Sequence, residues 1–177
     1  MCNLQKNYVR ISCWKIIWLV GLLLVWKLSA TFNLSKNDEW ETPPDLFQLG
    51  CDYFDFEPTL DLCATNYNKK TKFFIKQNAL NMNWRQDSWL NPPYSNVKDW
   101  IQKAYNEHLK WNVSILALLF VKSDTKIWHS CILHGKSEIL FLEGRIHFWK
   151  NGKRSKNPAP YPSAFIFWRK KWITKTK

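Results

Sequence analysis

From Val97 to Lys110, apolar side chains recur at Val97, Trp100, Ile101, Ala104, Tyr105 and Leu109, a spacing that gathers them on one face of a helix. Just upstream, Ser88-Trp89-Leu90 is a short apolar run of the kind that forms a buried strand. Between them lies Asn91-Pro92-Pro93-Tyr94, so the local order is strand, tight loop, helix. Pro44 to Leu49 predicts a short helix, with Asp45 near its N-terminus where negative charge is favoured. Phe54 to Leu62, carrying Phe56, Leu60 and Leu62, predicts the first strand, and Lys72 to Ile75 a second. Val113 to Val121 is continuously apolar, as in a strand buried on both faces of a parallel sheet. Ile139 to Leu142 and Ile146 to Trp149 flank Glu143-Gly144-Arg145 in a hairpin pattern, and Ala164 to Trp168 closes the sheet. Strands and helices alternate early and strands accumulate late, which predicts an α/β fold with a mostly parallel sheet and an antiparallel edge hairpin.

At 177 residues the chain allows one domain, able to bury about 70% of its unfolded surface. The polar run from Ser35 to Thr42, stopped by Pro43-Pro44, enters that domain as a loop. The expected division is therefore an extension over residues 1–34, a domain over 35–172 and a basic tail over 173–177. Ile16 to Trp26 is apolar or Gly throughout, with Lys6, Arg10 and Lys15 before it and Lys27 after. That is short of the roughly 20 residues a membrane span needs. It fits a secretory signal better, with Leu28-Ser29-Ala30 as a cleavage site, or a stretch read from a start codon set too far upstream. A non-essential extension is the reading adopted, with membrane contact only through residues 16–26.

Charge sharpens this division. The net charge is +12, yet residues 1–34 hold four basic and no acidic side chains, 145–177 hold ten basic and none acidic, and the span between is nearly neutral. Arg145, Lys150, Lys153, Arg154, Lys156, Arg169, Lys170 and Lys171 alternate with Phe148, Trp149, Trp168 and Trp172. Interleaved cations and aromatics are the footprint of a polyanion groove, the alternative being a solvated tail. Cys2, Cys13, Cys51, Cys63 and Cys131 show no CxxC spacing, and His108, His129, His134 and His147 make no ligand pattern with them, so no metal is expected. Scattered thiols in odd number fit a reducing cytoplasm better than a disulfide scaffold.

The candidate chemistry sits at Asn91-Pro92-Pro93-Tyr94. An exocyclic aromatic amine such as adenine N6 is a poor nucleophile because its lone pair is delocalised into the ring. The Asn91 side-chain oxygen and the Pro92 carbonyl can each accept one of its hydrogens, and fixed acceptors aimed at developing positive charge lower the barrier to methylation. Pro92 and Pro93 stiffen that carbonyl. Tyr94 offers a flat face for an extruded base. An ordinary Pro-Pro turn is the plain alternative.

Asp38-Glu39-Trp40-Glu41-Thr42-Pro43, Leu60-Asp61-Leu62-Cys63-Ala64, Trp89 to Ser95, Asp124-Thr125-Lys126, Phe141 to Arg145 with Phe148, and Pro162-Ser163-Ala164 follow one another in an order that resembles the phage-type DNA N-6-adenine methyltransferases. The resemblance runs from about Ser35 to Trp168. It implies a Rossmann-like class I fold, S-adenosylmethionine as methyl donor, adenine in DNA as substrate, and a phage- or prophage-encoded protein in the host cytoplasm. Carried over, it implies donor contacts at Trp40, Thr42, Pro43, Asp61, Ala64 and Asn78 and a nucleic-acid contact at Lys122, to which the basic final stretch adds nucleic-acid contacts at Arg145, Lys150, Lys153, Arg154 and Lys156. Three departures stand out. Asn78 replaces an acidic residue, Ala64-Thr65-Asn66-Tyr67-Asn68 replaces a Gly-rich turn, and Lys122 replaces an Arg whose planar fork suits phosphate. The alternatives are another planar amine (RNA adenine, cytosine N4 or a protein glutamine), a degenerate nucleic-acid-binding protein, or a membrane-anchored basic protein.

Overall fold

The structure, a computed structural model, describes residues 40–171. The segment Ile16 to Trp26, Asp38-Glu39 and Trp172 lie outside the described residues. Helix α1 (Pro44–Phe54) starts on a proline, which needs no N–H at that position, and stops at Asp55 in the left-handed region. It rides directly on the sheet, since a Cβ added to Gly50 would lie 2.7 Å from the Phe165 ring. Helix α2 (Val97–Trp111) buries Trp100, Ile101, Ala104, Glu107 and His108. The buried stripe is thus turned from the expected one, and Leu109 is 57% exposed. The polar pair earns its burial through hydrogen bonds. Glu107 accepts from the backbone N–H of Trp84, Nε1 of Trp111 and Nζ of Lys103, and the His108 ring meets the Val113 carbonyl.

Six strands form one sheet: β1 (Leu60–Asp61), β2 (Phe73–Phe74), β3 (Ser88–Leu90), β4 (Ile115–Phe120), β5 (Glu138–Phe141) and β8 (Ser163–Trp168). Their order is β2-β1-β3-β4-β8-β5, parallel across the first four and antiparallel at both pairings of β8. Two short strands, β6 (Trp149–Lys150) and β7 (Lys153–Arg154), make a separate hairpin around Asn151-Gly152. The α/β class and the mostly parallel mixed sheet stand as expected.

Three expectations need correction. The first strand does not run from Phe54, because Phe54 ends α1 and Phe56 packs on Phe167 from a loop. No hairpin joins 139–142 to 146–149. The wholly buried β8 takes the hydrogen bonds of β5, and Ile146 and Phe148 turn into the core instead. For the same reason β8 does not close the sheet: it is interior, and β5 is the edge.

Alternation divides β4 between two cores. Ile115, Ala117 and Leu119 face a cluster with α2, Trp84 and Trp128, while Leu116, Leu118 and Phe120 face one with α1, Tyr94 and Phe148. Trp100 and Trp128 are in the first core and Trp111 packs against it, as expected. Burial on both sides makes β4 and β8 the rigid spine from which the neighbouring loops project.

Candidate active site

Beyond the carboxyl ends of β1, β2 and β3 a cavity of about 420 Å³ opens, lined among others by Trp40, Leu62, Ala64, Asn78, Asn91 and Pro93. Chain segments far apart in sequence meet there, at the end of the strands where α/β sheets place their ligands. Its walls are mixed in character. Leu62, Ile75, Ala79, Leu80 and Trp100 give an apolar side, while Thr65, Asn68, Lys76, Gln77, Asn78 and Asn81 give a polar one with no acidic side chain among the described residues.

At its rim Asn91 is held at both ends of its amide. Nδ2 donates to the Trp40 carbonyl at 3.0 Å, and Oδ1 lies 3.1 Å from the Tyr94 hydroxyl. Fixing Nδ2 fixes the direction of Oδ1, and a carbonyl oxygen with two lone pairs keeps room for a second donor. The Tyr94 hydroxyl also lies 3.2 Å from the Leu118 carbonyl in β4, so the loop is tied to the spine. Burial pushes the Tyr94 phenol far above its ordinary pKa, so it stays a hydroxyl. Its ring is stacked on Phe120, centroids 3.7 Å apart and planes 12° apart, and only 5% of the residue is exposed. The expected open stacking face is therefore covered. Tyr94 is an internal brace, because an aromatic ring at the end of β4 buries more surface against Phe120 and Phe148 than it would at the rim.

The expected donor contacts divide. Trp40, Ala64 and Asn78 line the cavity; Thr42, Pro43 and Asp61 do not. Thr42 and Pro43 are buried where the chain enters α1, and the Thr42 hydroxyl has no hydrogen-bond partner among the described residues. Asp61 lies just before the cavity-lining Leu62, 2% exposed, accepting the backbone N–H groups of Cys63 at 3.2 Å and Lys70 at 2.9 Å. Burial is the largest influence on it and pushes its pKa up to about 6 against the lowering effect of those bonds and of the Lys70 charge. The Cys63 thiol, beside it, is pushed up by burial as well and remains protonated.

The basic stretch divides too. Lys150, Lys153, Arg154 and Lys156 are exposed on and beside the β6–β7 hairpin. Arg145 is drawn onto the Ala159 and Pro160 carbonyls, and the Lys122 ammonium lies 4.9 Å from the Tyr161 ring centroid. Arg169 pairs with Glu138 and Lys170 with Asp87, while Phe148 and Trp168 are core residues. The alternation along the sequence is therefore not one continuous groove: Phe148 and Trp168 are taken into the two cores, and two of its cations are neutralised on the body.

Residues 29–177 match the family model of the DNA N-6-adenine-methyltransferase (Dam). The chain belongs to that family. It is also 34% identical, over 124 residues, to a DNA N-6-adenine-methyltransferase of Haemophilus phage HP1 (strain HP1c1), an alignment covering 67% of this chain and 72% of the phage protein. No solved structure matches. Adenine-N6 methylation of DNA is accordingly the activity of this Dam-family chain. Thr65, Asn68 and Lys76 line its cavity without a signal in composition or spacing; the one pointer was the missing Gly-rich turn at 64–68. Among the described residues no His, Cys, Asp or Glu group is placed to hold a metal, and no helix is long and apolar enough to cross a membrane.

Proposed function

We propose that the chain is an S-adenosylmethionine-dependent DNA adenine methyltransferase of Rossmann-like class I architecture, with Asn91 and the Pro92 carbonyl as the acceptors of the two N6 hydrogens. The observation that carries this is Asn91, aimed by the Trp40 carbonyl and braced by Tyr94 at the rim of a cavity past the strand ends. The cavity suits the donor in size and in its division into apolar and polar walls. Asp61, behind the wall beside the cavity-lining Leu62, would act on the donor through its charge and not by contact, since a buried carboxylate whose charge is disfavoured is stabilised by a cation placed near it. Trp40, Ala64 and Asn78 would hold the donor, which supplies an electrophilic methyl group when bound.

The protein's part is then positioning. Two fixed acceptors draw the amine hydrogens aside, favour a tetrahedral nitrogen and act without reorganising during the reaction. No strong base is required, because the amine loses its proton only after it has become cationic. The decisive experiment is transfer of labelled methyl from S-adenosylmethionine to unmethylated duplex DNA, followed by nucleoside analysis. N6-methyladenine is the expected product, and its absence would sink the assignment.

Two quantitative expectations follow from the site. For an acid raised to about 6 by the fold, the folded state holds its proton more tightly. Its contribution is therefore most favourable below the ordinary carboxylate pKa and declines as pH rises towards about 6. A cationic donor beside Asp61 reverses that preference. Donor affinity measured by calorimetry should climb as pH rises to about 6 and then level off, and Asp61→Asn should flatten the profile. A flat profile in the parent would remove Asp61 from the donor site. On the DNA side, Lys150→Ala, Lys153→Ala and Arg154→Ala should each lower the slope of log affinity against log salt by about 1 if each side chain meets a phosphate. An unchanged slope in the triple variant would take the hairpin off the DNA.

A further inference from the structure

A second cleft, of about 720 Å³, lies between the Thr65–Asn68 loop and the tip of the β6–β7 hairpin, with Glu41, Lys76, Asn151 and Gly152 on its walls. Both walls are built before anything binds. On one side Thr65 gives two bonds within its own loop, its N–H and its hydroxyl both donating to Asn68 Oδ1, at 2.6 and 3.1 Å, and Tyr67 N–H closes back on the Thr65 hydroxyl at 3.3 Å. On the other, Glu41 and Trp149 exchange both backbone hydrogen bonds at 2.9 Å, and a Glu41 carboxylate oxygen takes the Gly152 N–H at 3.3 Å. What this loop holds out is the ring of Tyr67, 97% exposed. The cleft adjoins the Asn91 cavity, since Thr65, Asn68 and Lys76 line both. Its charged lining is Lys76 and the Glu41 carboxylate, the latter taken up by the Gly152 N–H, and Lys150 and Lys153 stand on the hairpin strands that flank the tip.

We infer that Tyr67 stacks on a base of the DNA substrate beside the extruded adenine, with the strand threaded between the Tyr67 loop and the hairpin tip. The inference rests on the DNA methyltransferase reading above. It assigns a role to the segment that departs from the Gly-rich turn: side-chain bonds replace glycine flexibility there and present an aromatic face. Since Tyr94 is stacked internally on Phe120, Tyr67 supplies the exposed ring at this end of the sheet that Tyr94 does not. A flat π face accepts any base, so the contact adds affinity without adding sequence preference.

The test uses the full chain with a fluorescently labelled, unmethylated duplex. Tyr67→Ala should weaken DNA binding about tenfold or more, in line with the measured worth of base–aromatic stacking. Tyr67→Phe should bind as the parent does. The salt slope should be unchanged in Tyr67→Ala, since no phosphate contact is lost. KM for DNA should rise with kcat retained, and calorimetric affinity for S-adenosylmethionine should not move. The side chain is almost wholly exposed, so an unchanged Tm is expected as well. DNA affinity equal to the parent's in a variant of a chain that methylates DNA would overturn the stacking contact alone. Loss of donor affinity with DNA affinity intact would overturn it too, by placing the ring on the donor's own adenine. A parent that neither binds nor methylates DNA would overturn the contact together with the reading beneath it.

Discussion

Asn91→Ala should lower the rate of methyl transfer to DNA by about 10²- to 10³-fold, the usual effect of deleting one fixed hydrogen-bonding group from a reacting centre. Donor affinity should change little, because the remaining cavity wall, from Leu62 to Ala64 and from Ile75 to Asn81, is untouched. The loss should appear in kcat more than in KM, since the acceptor gains most as charge develops on the amine. Asn91→Asp is the sharper comparison. An aspartate keeps an oxygen in place for the amine but cannot donate to the Trp40 carbonyl as Nδ2 does at 3.0 Å, and places a carboxylate against that carbonyl instead. Aspartate should therefore retain more activity than alanine only if the oxygen acts directly and the Trp40 bond is an aiming device. Single-turnover rates with preformed donor complex would separate the two. Equal rates for Asn91→Ala and the parent would end the case for this loop as the reacting centre.

The Asn91 loop was legible in the sequence because its residues are contiguous and each acts through local geometry: two prolines restrict the chain, and a strand and a helix bracket them. The parallel half of the sheet was legible for a similar reason, as the apolar run of β4 has no polar side to offer water. What failed did so where a distant partner decides. Ile146 and Phe148 alternate with polar neighbours as a strand would, but β5 bonds to β8 instead, a choice made by the fully buried Ser163–Trp168. Leu109 fits a helical stripe when counted from Tyr105, yet buried Glu107, anchored by Trp84 across the chain, sets the helix rotation. Charge follows the same rule: Arg169 and Lys170 look free beside their sequence neighbours and are paired with Glu138 and Asp87, far away along the chain.

Tyr94 is the residue on which pattern and structure disagree most usefully, and a pair of variants turns the disagreement into a measurement. An open platform for a base needs only the ring, so Tyr94→Phe would leave such a function intact. The buried position predicts otherwise. Tyr94→Phe keeps the stack on Phe120 but removes the hydroxyl that reaches both Asn91 Oδ1 and the Leu118 carbonyl. A bond of this kind contributes about 1 kcal/mol to stability, so the Tm should fall by several degrees while the fold persists. The larger consequence is at the site: with one of its two restraints gone, the Asn91 amide samples other directions, and methyl transfer should drop by about tenfold or more through lost positioning. Tyr94→Ala also leaves a void against Phe120 and Phe148, and truncating a buried aromatic costs about 3–5 kcal/mol, a large share of the stability of a domain this size. That variant should be poorly folded at 37 °C, and its inactivity alone would be ambiguous. The phenylalanine variant is decisive because its fold survives. Full activity in Tyr94→Phe would mean that Asn91 is held by the Trp40 carbonyl alone; reduced activity with unchanged DNA affinity would establish the tyrosine as the brace of the reacting amide, acting from within the core and never touching the base.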